Sequence, residues 1–272
     1  MNKNQDIEYL IKVGNATTND NGTINYTNFK NKKDTTAKYQ LTDFVSKTDS
    51  KQKITVKAGS SSEVTVNLKV PKQKFPGTIA GGVYVERLTN SYTNEKNGMN
   101  TRNHFSMTLP VILTEQAKAK RIAKMELDKV MVKNGPEVIA KLHNVKPVMF
   151  GKLSIDSKIT KKNHVKTLIH KNVNNYQVAP NSSFNFLASD SSNQLGAGKY
   201  TIDMHLQSGK RKWHLVKDFT ITAKQGVPLT KRTGWLGISM VMWIVILILV
   251  IIIVGLVVVI VRQKQNLKTK NK

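Results

Sequence analysis

The residues able to do chemistry are few, and their spacing points away from catalysis. Six histidines, His104, His143, His164, His170, His205 and His214, show no HExxH or other ligand interval, so surface or strand-edge positions are expected and no metal set. Gly196-Ala197-Gly198-Lys199 has the end of a phosphate loop. However, Asn193 stands where the first glycine belongs, and Tyr200 where Ser or Thr would coordinate magnesium, so a turn before a strand is the expectation. No GxSxG elbow occurs, and 17 acids against 43 lysines and arginines offer no evident carboxylate pair. The chain has no cysteine, which excludes disulfides, thiolate metal ligation and a cysteine nucleophile. It therefore reads as non-enzymatic, with no cofactor.

Short strands must position whatever these residues do. Ile54 and Val56 alternate with polar residues, Ala58 to Ser62 offers a Gly/Ser turn, and Val64, Val66, Leu68 and Val70 resume the period of two, predicting a hairpin that ends at Pro71. Phe75-Pro76-Gly77 leads through Gly81-Gly82 into Val83, Tyr84 and Val85. The stretch from Asn90 to Asn103 reads as a polar loop, and Phe105, Met107, Leu109, Val111 and Leu113 as another alternating strand. After a charged junction at 114–124, a second unit starts with Met125, Leu127 and Val130 and runs on through Val138 to Leu142. The clearest hairpin comes last: Tyr200, Ile202, Met204 and Leu206 on one arm, Ser208-Gly209 in the turn, and Trp213, Leu215, Phe219 and Ile221 on the other. An aromatic in such a strand, Trp213 included, is expected to be core rather than a ligand platform. The fold class is all-β, with two tandem immunoglobulin-like sandwiches at 1–116 and 117–224.

Beyond a spacer at 225–234, no charged residue occurs from Trp235 to Val261, long enough for a transmembrane helix of roughly 20 residues. Trp235 and Trp243 suit its outer interface. Arg262, Lys264, Lys268, Lys270 and Lys272 in the tail at 262–272 outnumber Lys231 and Arg232, so the positive-inside tendency puts the C-terminus in the cytoplasm and the ectodomain outside. Met1 to Leu10 contains no signal-peptide pattern, which leaves open a mature-like or truncated form, or a tail-anchored protein whose bulk stays inside.

The formal charge of +26 is spread over the chain rather than clustered. Such a surface attracts polyanions: anionic wall polymers, lipid headgroups or nucleic acid. No helix-turn-helix, RNA-recognition or OB-like pattern is present, so no specific nucleic acid is expected. A cysteine-free exported protein fits a Gram-positive bacterium.

The first unit carries Asn15-Ala16-Thr17-Thr18-Asn19, then Gly22, Ile24, Asn25 and Tyr26, and later Phe75, Gly77 and Gly81-Gly82-Val83. The second carries Val178-Ala179-Pro180-Asn181-Ser182 with Phe184, then Leu195, Gly198, Tyr200, Trp213 and Phe219. In combination, these motifs resemble those of the WxL-interacting proteins of low-GC Gram-positive bacteria. The resemblance implies a peptidoglycan-binding domain joined to a host-binding domain, and a membrane-anchored, non-enzymatic cell-surface protein. Its implied partners are peptidoglycan or anionic wall polymers, WxL-domain proteins and host extracellular matrix. It also leads to the expectation that the chain begins inside the first domain. The candidate binding positions are Phe75, Gly77, Gly81, Gly82, Tyr84, Pro180, Asn181, Phe184, Tyr200 and Trp213. A tail-anchored basic protein facing the cytoplasm and a non-functional truncated paralogue stay open as alternatives.

Overall fold

The computed structural model describes residues 5–226, apart from 31, 76, 89–90, 95–99, 104, 116–121, 134 and 194, together with 246–254 and 257–258. The chain divides into two units, Met1–Gly226 and Val227–Lys272.

The first unit is built from strands. In its N-terminal part these are β1 (Ile7–Thr18), β2 (Ile24–Asn28), β3 (Lys51–Val56), β4 (Thr78–Arg87), β5 (Ser91–Asn94), β6 (Asn100–Asn103) and β7 (Ser106–Thr114). They form a five-stranded sheet of order β2-β1-β4-β7, with β3 also on β1, and a separate β5-β6 pair. Antiparallel β1 is the central strand. Its first half pairs with β3, its second half with β2, and its other edge with β4. Leu10, Ile11, Val13 and Ala16 are all buried on it, so both of its faces are covered and its sequence shows no alternation. Val13, Leu41, Phe44, Phe75 and Ile79 form the core on one side.

The C-terminal part is a sandwich of β8 (Met125–Val132), β9 (Val138–Asn144), β10 (Phe150–Lys161), β11 (Thr167–Val178), β12 (Ser182–Ser189), β13 (Gly198–Ser208) and β14 (Arg211–Ile221). A three-stranded sheet, β12-β9-β8, faces a four-stranded one, β11-β10-β13-β14. Between them lies one core that includes Leu142, Ile155, Phe184, Phe186, Tyr200, Ile202, Met204 and Leu206. The period-two pattern read on β13 is the pattern of this burial. Tyr200 lies inside with its hydroxyl donating to the Gly196 carbonyl at 2.8 Å, which ties the incoming turn to the start of β13.

Several expectations are corrected. Ile54 and Val56 do not form a hairpin with 64–70, because β3 pairs with β1 instead. The 64–70 segment runs extended with only an isolated bridge from Leu68 to Val45, and its Val66 and Leu68 rest on the first core. Alternation there reports one covered face and no ladder partner. The expected loop at 90–103 contains the β5-β6 pair. In the last hairpin the closing pair is Ser208 with Arg211, so Gly209 and Lys210 make the turn. Gly209 takes φ +58°, as the first position of a type II′ turn requires. The junction at 116/117 lies outside the described residues.

In the second unit, residues 246–254 are helical, and Ile246 to Val254 are all exposed. Most of the expected span at 235–261, and all of the tail at 262–272, lie outside the described residues. Among those described, no helix is long and apolar enough to cross a membrane.

Candidate functional site

A polar cleft of about 620 Å³ lies where the five-stranded sheet meets the β8-β9-β12 sheet. Its walls come from the second half of β1, the loop 32–40, the start of β4, strands β8 and β9, and the turn from Pro180 into β12. That volume falls within the usual range for small-ligand sites.

The joint behind the cleft is fastened by buried polar contacts. The Thr18 amide donates to Ser182 Oγ at 2.8 Å, and the Ala179 amide donates to Thr18 Oγ1 at 3.0 Å. Ala16, Ala80 and Ala179 pack beside them, their small side chains letting the backbones approach. Further out, the Gln177 amide donates to the Gly22 carbonyl at 2.7 Å, and the Asn185 amide to Asp20 Oδ1 at 2.8 Å. Tyr176 covers Gly22, where a Cβ would fall 2.1 Å from the ring, and burial pushes its phenol above the ordinary tyrosine range. Gly77, at φ +94°, sits against Pro147, whose carbonyl accepts from the Thr78 amide at 2.7 Å.

His143 is the most enclosed titratable group in the cleft wall. Its Nε2 donates to Asp34 Oδ1 at 3.1 Å, and its Nδ1 lies 3.4 Å from Asp128 Oδ1. One imidazole on β9 thus bridges a loop of the first sheet and strand β8. Asp128 is also 3.6 Å from the Lys141 ammonium. Glu126, nearby on β8, is paired with Lys124 at 2.6 Å, and that hydrogen bond holds its carboxyl below the usual glutamate range. Asn15 exchanges two hydrogen bonds with Thr42, and Asn181 Nδ2 donates to Thr36 Oγ1 at 2.9 Å. The lining therefore presents amides, hydroxyls, carboxylates and ammonium groups on a braced frame. This is a chemistry suited to polar ligands such as sugars and peptides.

Of the positions singled out by sequence, Pro180 and Asn181 line this cleft. Asn181 adopts φ +43°, which turns the chain from β11 into β12. Phe75 is buried in the first core, and its amide donates to Glu115 Oε2 at 2.6 Å. Gly81 packs on the Gly14 carbonyl and Leu41, and Gly82 on Tyr26. Tyr84 is half-buried edge-to-face with Phe29, centroids 5.5 Å apart. Phe184 and Tyr200 belong to the sandwich core, and Trp213 stacks on Phe150 at 5.6 Å. Sequence reasoning expected His143, like the other histidines, at the surface or a strand edge, whereas it is buried between two carboxylates, and it passed over Asp34 and Asp128. Their only signal was compositional, a histidine in an alternating strand with acids far away along the chain.

These features define the class: an all-β protein with a ligand-sized polar cleft. The chain belongs to the WxL interacting protein family. The family's peptidoglycan binding domain matches residues 1–87 and its host binding domain residues 96–231, half of the 272 residues. No curated protein and no solved structure shows significant similarity to it. Both matched domains are defined by binding, which supports a cell-surface binding role.

Proposed function

We propose that this chain is a single-pass membrane-anchored surface protein that grips wall polymer with its first module and presents its second to other proteins. The first module, 1–116, takes peptidoglycan or anionic wall polymer. The second, 117–224, is an immunoglobulin-like sandwich offered to WxL-domain proteins and host matrix. A spacer, a span at 235–261 and a cytoplasmic tail follow. The observation that carries this reading is the succession of two binding-domain matches along one chain.

Physical features support it. The charge of +26 draws the protein to polyanionic wall polymer. The uncharged run from Trp235 to Val261, with helical and exposed apolar residues at 246–254, suits a lipid environment. The Tyr200 hydroxyl bond to the Gly196 carbonyl has the form of a tyrosine corner, a mark of immunoglobulin-like sandwiches.

The test is co-sedimentation of the full chain, in mild detergent, with purified sacculi. Binding is expected at low ionic strength and is expected to fall severalfold near 1 M salt, where the Debye length shrinks to about 3 Å. Failure to sediment with sacculi at low salt would overturn the wall-binding reading. Protease treatment of intact cells addresses topology: cleavage to a membrane stub supports an outside ectodomain, while protection persisting in wall-stripped protoplasts refutes it.

A further inference from the structure

The outer face of the four-stranded sheet carries a side-chain cluster that is not part of the cleft lining. On β13, Ile202, Met204 and Leu206 are buried in the core, so Asp203 and His205 stand on the solvent face. His205 is directly opposite His214 on β14, their rings stacked 4.3 Å apart and 7° from parallel. Both imidazoles aim at the same carboxylate oxygen. Asp203 Oδ1 lies 2.9 Å from His214 Nε2 and 3.3 Å from His205 Nε2. The three candidate ligand atoms all fall within 4.8 Å of one another.

We propose that Asp203, His205 and His214 form a surface site for a divalent transition-metal ion of the zinc and copper class. Metal–nitrogen and metal–oxygen bonds of about 2.0–2.2 Å in a tetrahedron put neighbouring ligand atoms about 3.3–3.5 Å apart. The Asp203–His205 distance already meets that spacing and the Asp203–His214 distance is a few tenths of an ångström short of it. The rings, 7° from parallel, must tilt toward each other for both in-plane lone pairs to meet one ion, and their exposure leaves room for that movement. Two imidazole nitrogens and one carboxylate select zinc, copper or nickel over calcium and magnesium, which prefer all-oxygen shells. The frame is rigid because β13 and β14 stay in register through 11 paired positions, from Gly198–Ile221 to Ser208–Arg211. A fourth coordination position faces solvent. Asp156, in register with His205 on β10 and accepting from His170 Nε2 at 3.0 Å, adds a second carboxylate to this face.

The test uses the full chain in detergent with Zn²⁺ as probe, by equilibrium dialysis, alongside NMR of the histidine ring carbons. One tight Zn²⁺ per chain is expected, with the His205 and His214 ring signals shifting together. His205→Gln combined with His214→Gln is expected to weaken that binding by at least about tenfold, and Asp203→Asn to weaken it too. His164→Gln, in an exposed turn, should leave it unchanged, and excess Mg²⁺ should not compete. Because His205 and His214 are exposed and Asp203 is half-buried at the sheet surface, the variants are expected to keep the wild-type circular dichroism, so that a loss of binding reports the site. Failure of the chain to retain zinc, or retention undiminished in the double variant, would overturn the proposal.

Discussion

Ser182→Ala tests whether the joint beside the cleft is held by buried hydrogen bonds. Ser182 and Thr18 are 3% and 6% exposed, and Ala179 is fully buried, so water has little access to the groups they pair. Ser182 Oγ accepts from the Thr18 amide at 2.8 Å, and removing it strands a buried N–H. The cost of such a group is about 1–3 kcal/mol. For a unit of this size that corresponds to a fall of roughly 4–8 °C in Tm at the middle of the range. Thr18→Val removes the acceptor of the Ala179 amide while conserving volume, and carries a penalty of the same order. The double variant should be less destabilised than the sum, because once the joint admits water the second group is already solvated. Thermal unfolding by circular dichroism gives the magnitudes, and hydrogen exchange at the Thr18 amide reports the local opening. Ser154→Ala is the control, since its hydroxyl donates to Gln207 on the exposed sheet face and its loss should cost under about 0.5 kcal/mol. If Ser182→Ala melts within 1 °C of wild type and leaves exchange at Thr18 unchanged, the joint is not held this way.

Three further outcomes are expected. Gly77→Ala should destabilise by at least about 1 kcal/mol more than Gly59→Ala: both residues have positive φ, but only at Gly77 would the new Cβ meet an atom, the Pro147 carbonyl oxygen at 2.2 Å. Parallel melts of the two variants decide this. Tyr200→Phe, which deletes the bond to Gly196, should cost about 1 kcal/mol and lower Tm by roughly 2–4 °C without altering the far-ultraviolet spectrum. Asp190 has its carboxyl held below the usual aspartate range, first by the Ser192 hydroxyl and then by the Ser192 amide. With the folded value depressed, its contribution is present above the unfolded pKa and is lost as pH falls through the folded one. Ser192→Ala should therefore move its NMR titration midpoint upward.

Much of the strand content was legible because one-sided burial writes itself as alternation. β13 and β14 show this most plainly, since each buries one face against the core. β1 escaped for the opposite reason: as the middle of its sheet it is covered on both faces, and Leu10 and Ile11 are buried in succession. The 64–70 stretch misled because a segment can lay alternate residues on a core without pairing its backbone. The candidate binding positions came from motif residues, and aromatic and glycine motif positions such as Phe75, Gly81 and Phe184 mostly serve packing. The cleft wall was illegible because its frame is non-local: Asp34 meets His143, and Asp20 meets Asn185, across separations that no local pattern encodes.

Register explains why the histidine cluster stays hidden in the linear sequence. His205 and His214 are far enough apart to escape every spacing rule for metal ligands, yet the hairpin sets them face to face. Placing Ser208 and Gly209 in the turn would pair His205 with Lys212, and His214 with Asp203. Moving the turn on by one residue, to Gly209 and Lys210, pairs histidine with histidine and leaves Asp203 two residues along the same face. One glycine at φ +58° thus decides whether a cation or an imidazole confronts His205. Shifting this turn is a sharper perturbation than deleting a ligand: two residues inserted after Gly209 that slip the register by two keep every side chain of β14 on its own face and set Lys212 opposite His205 in place of His214, whereas a slip of one would turn His214 into the core. Such a chain should hold zinc less tightly while still folding, because the opposing strand β10 holds β13 in place through its own register.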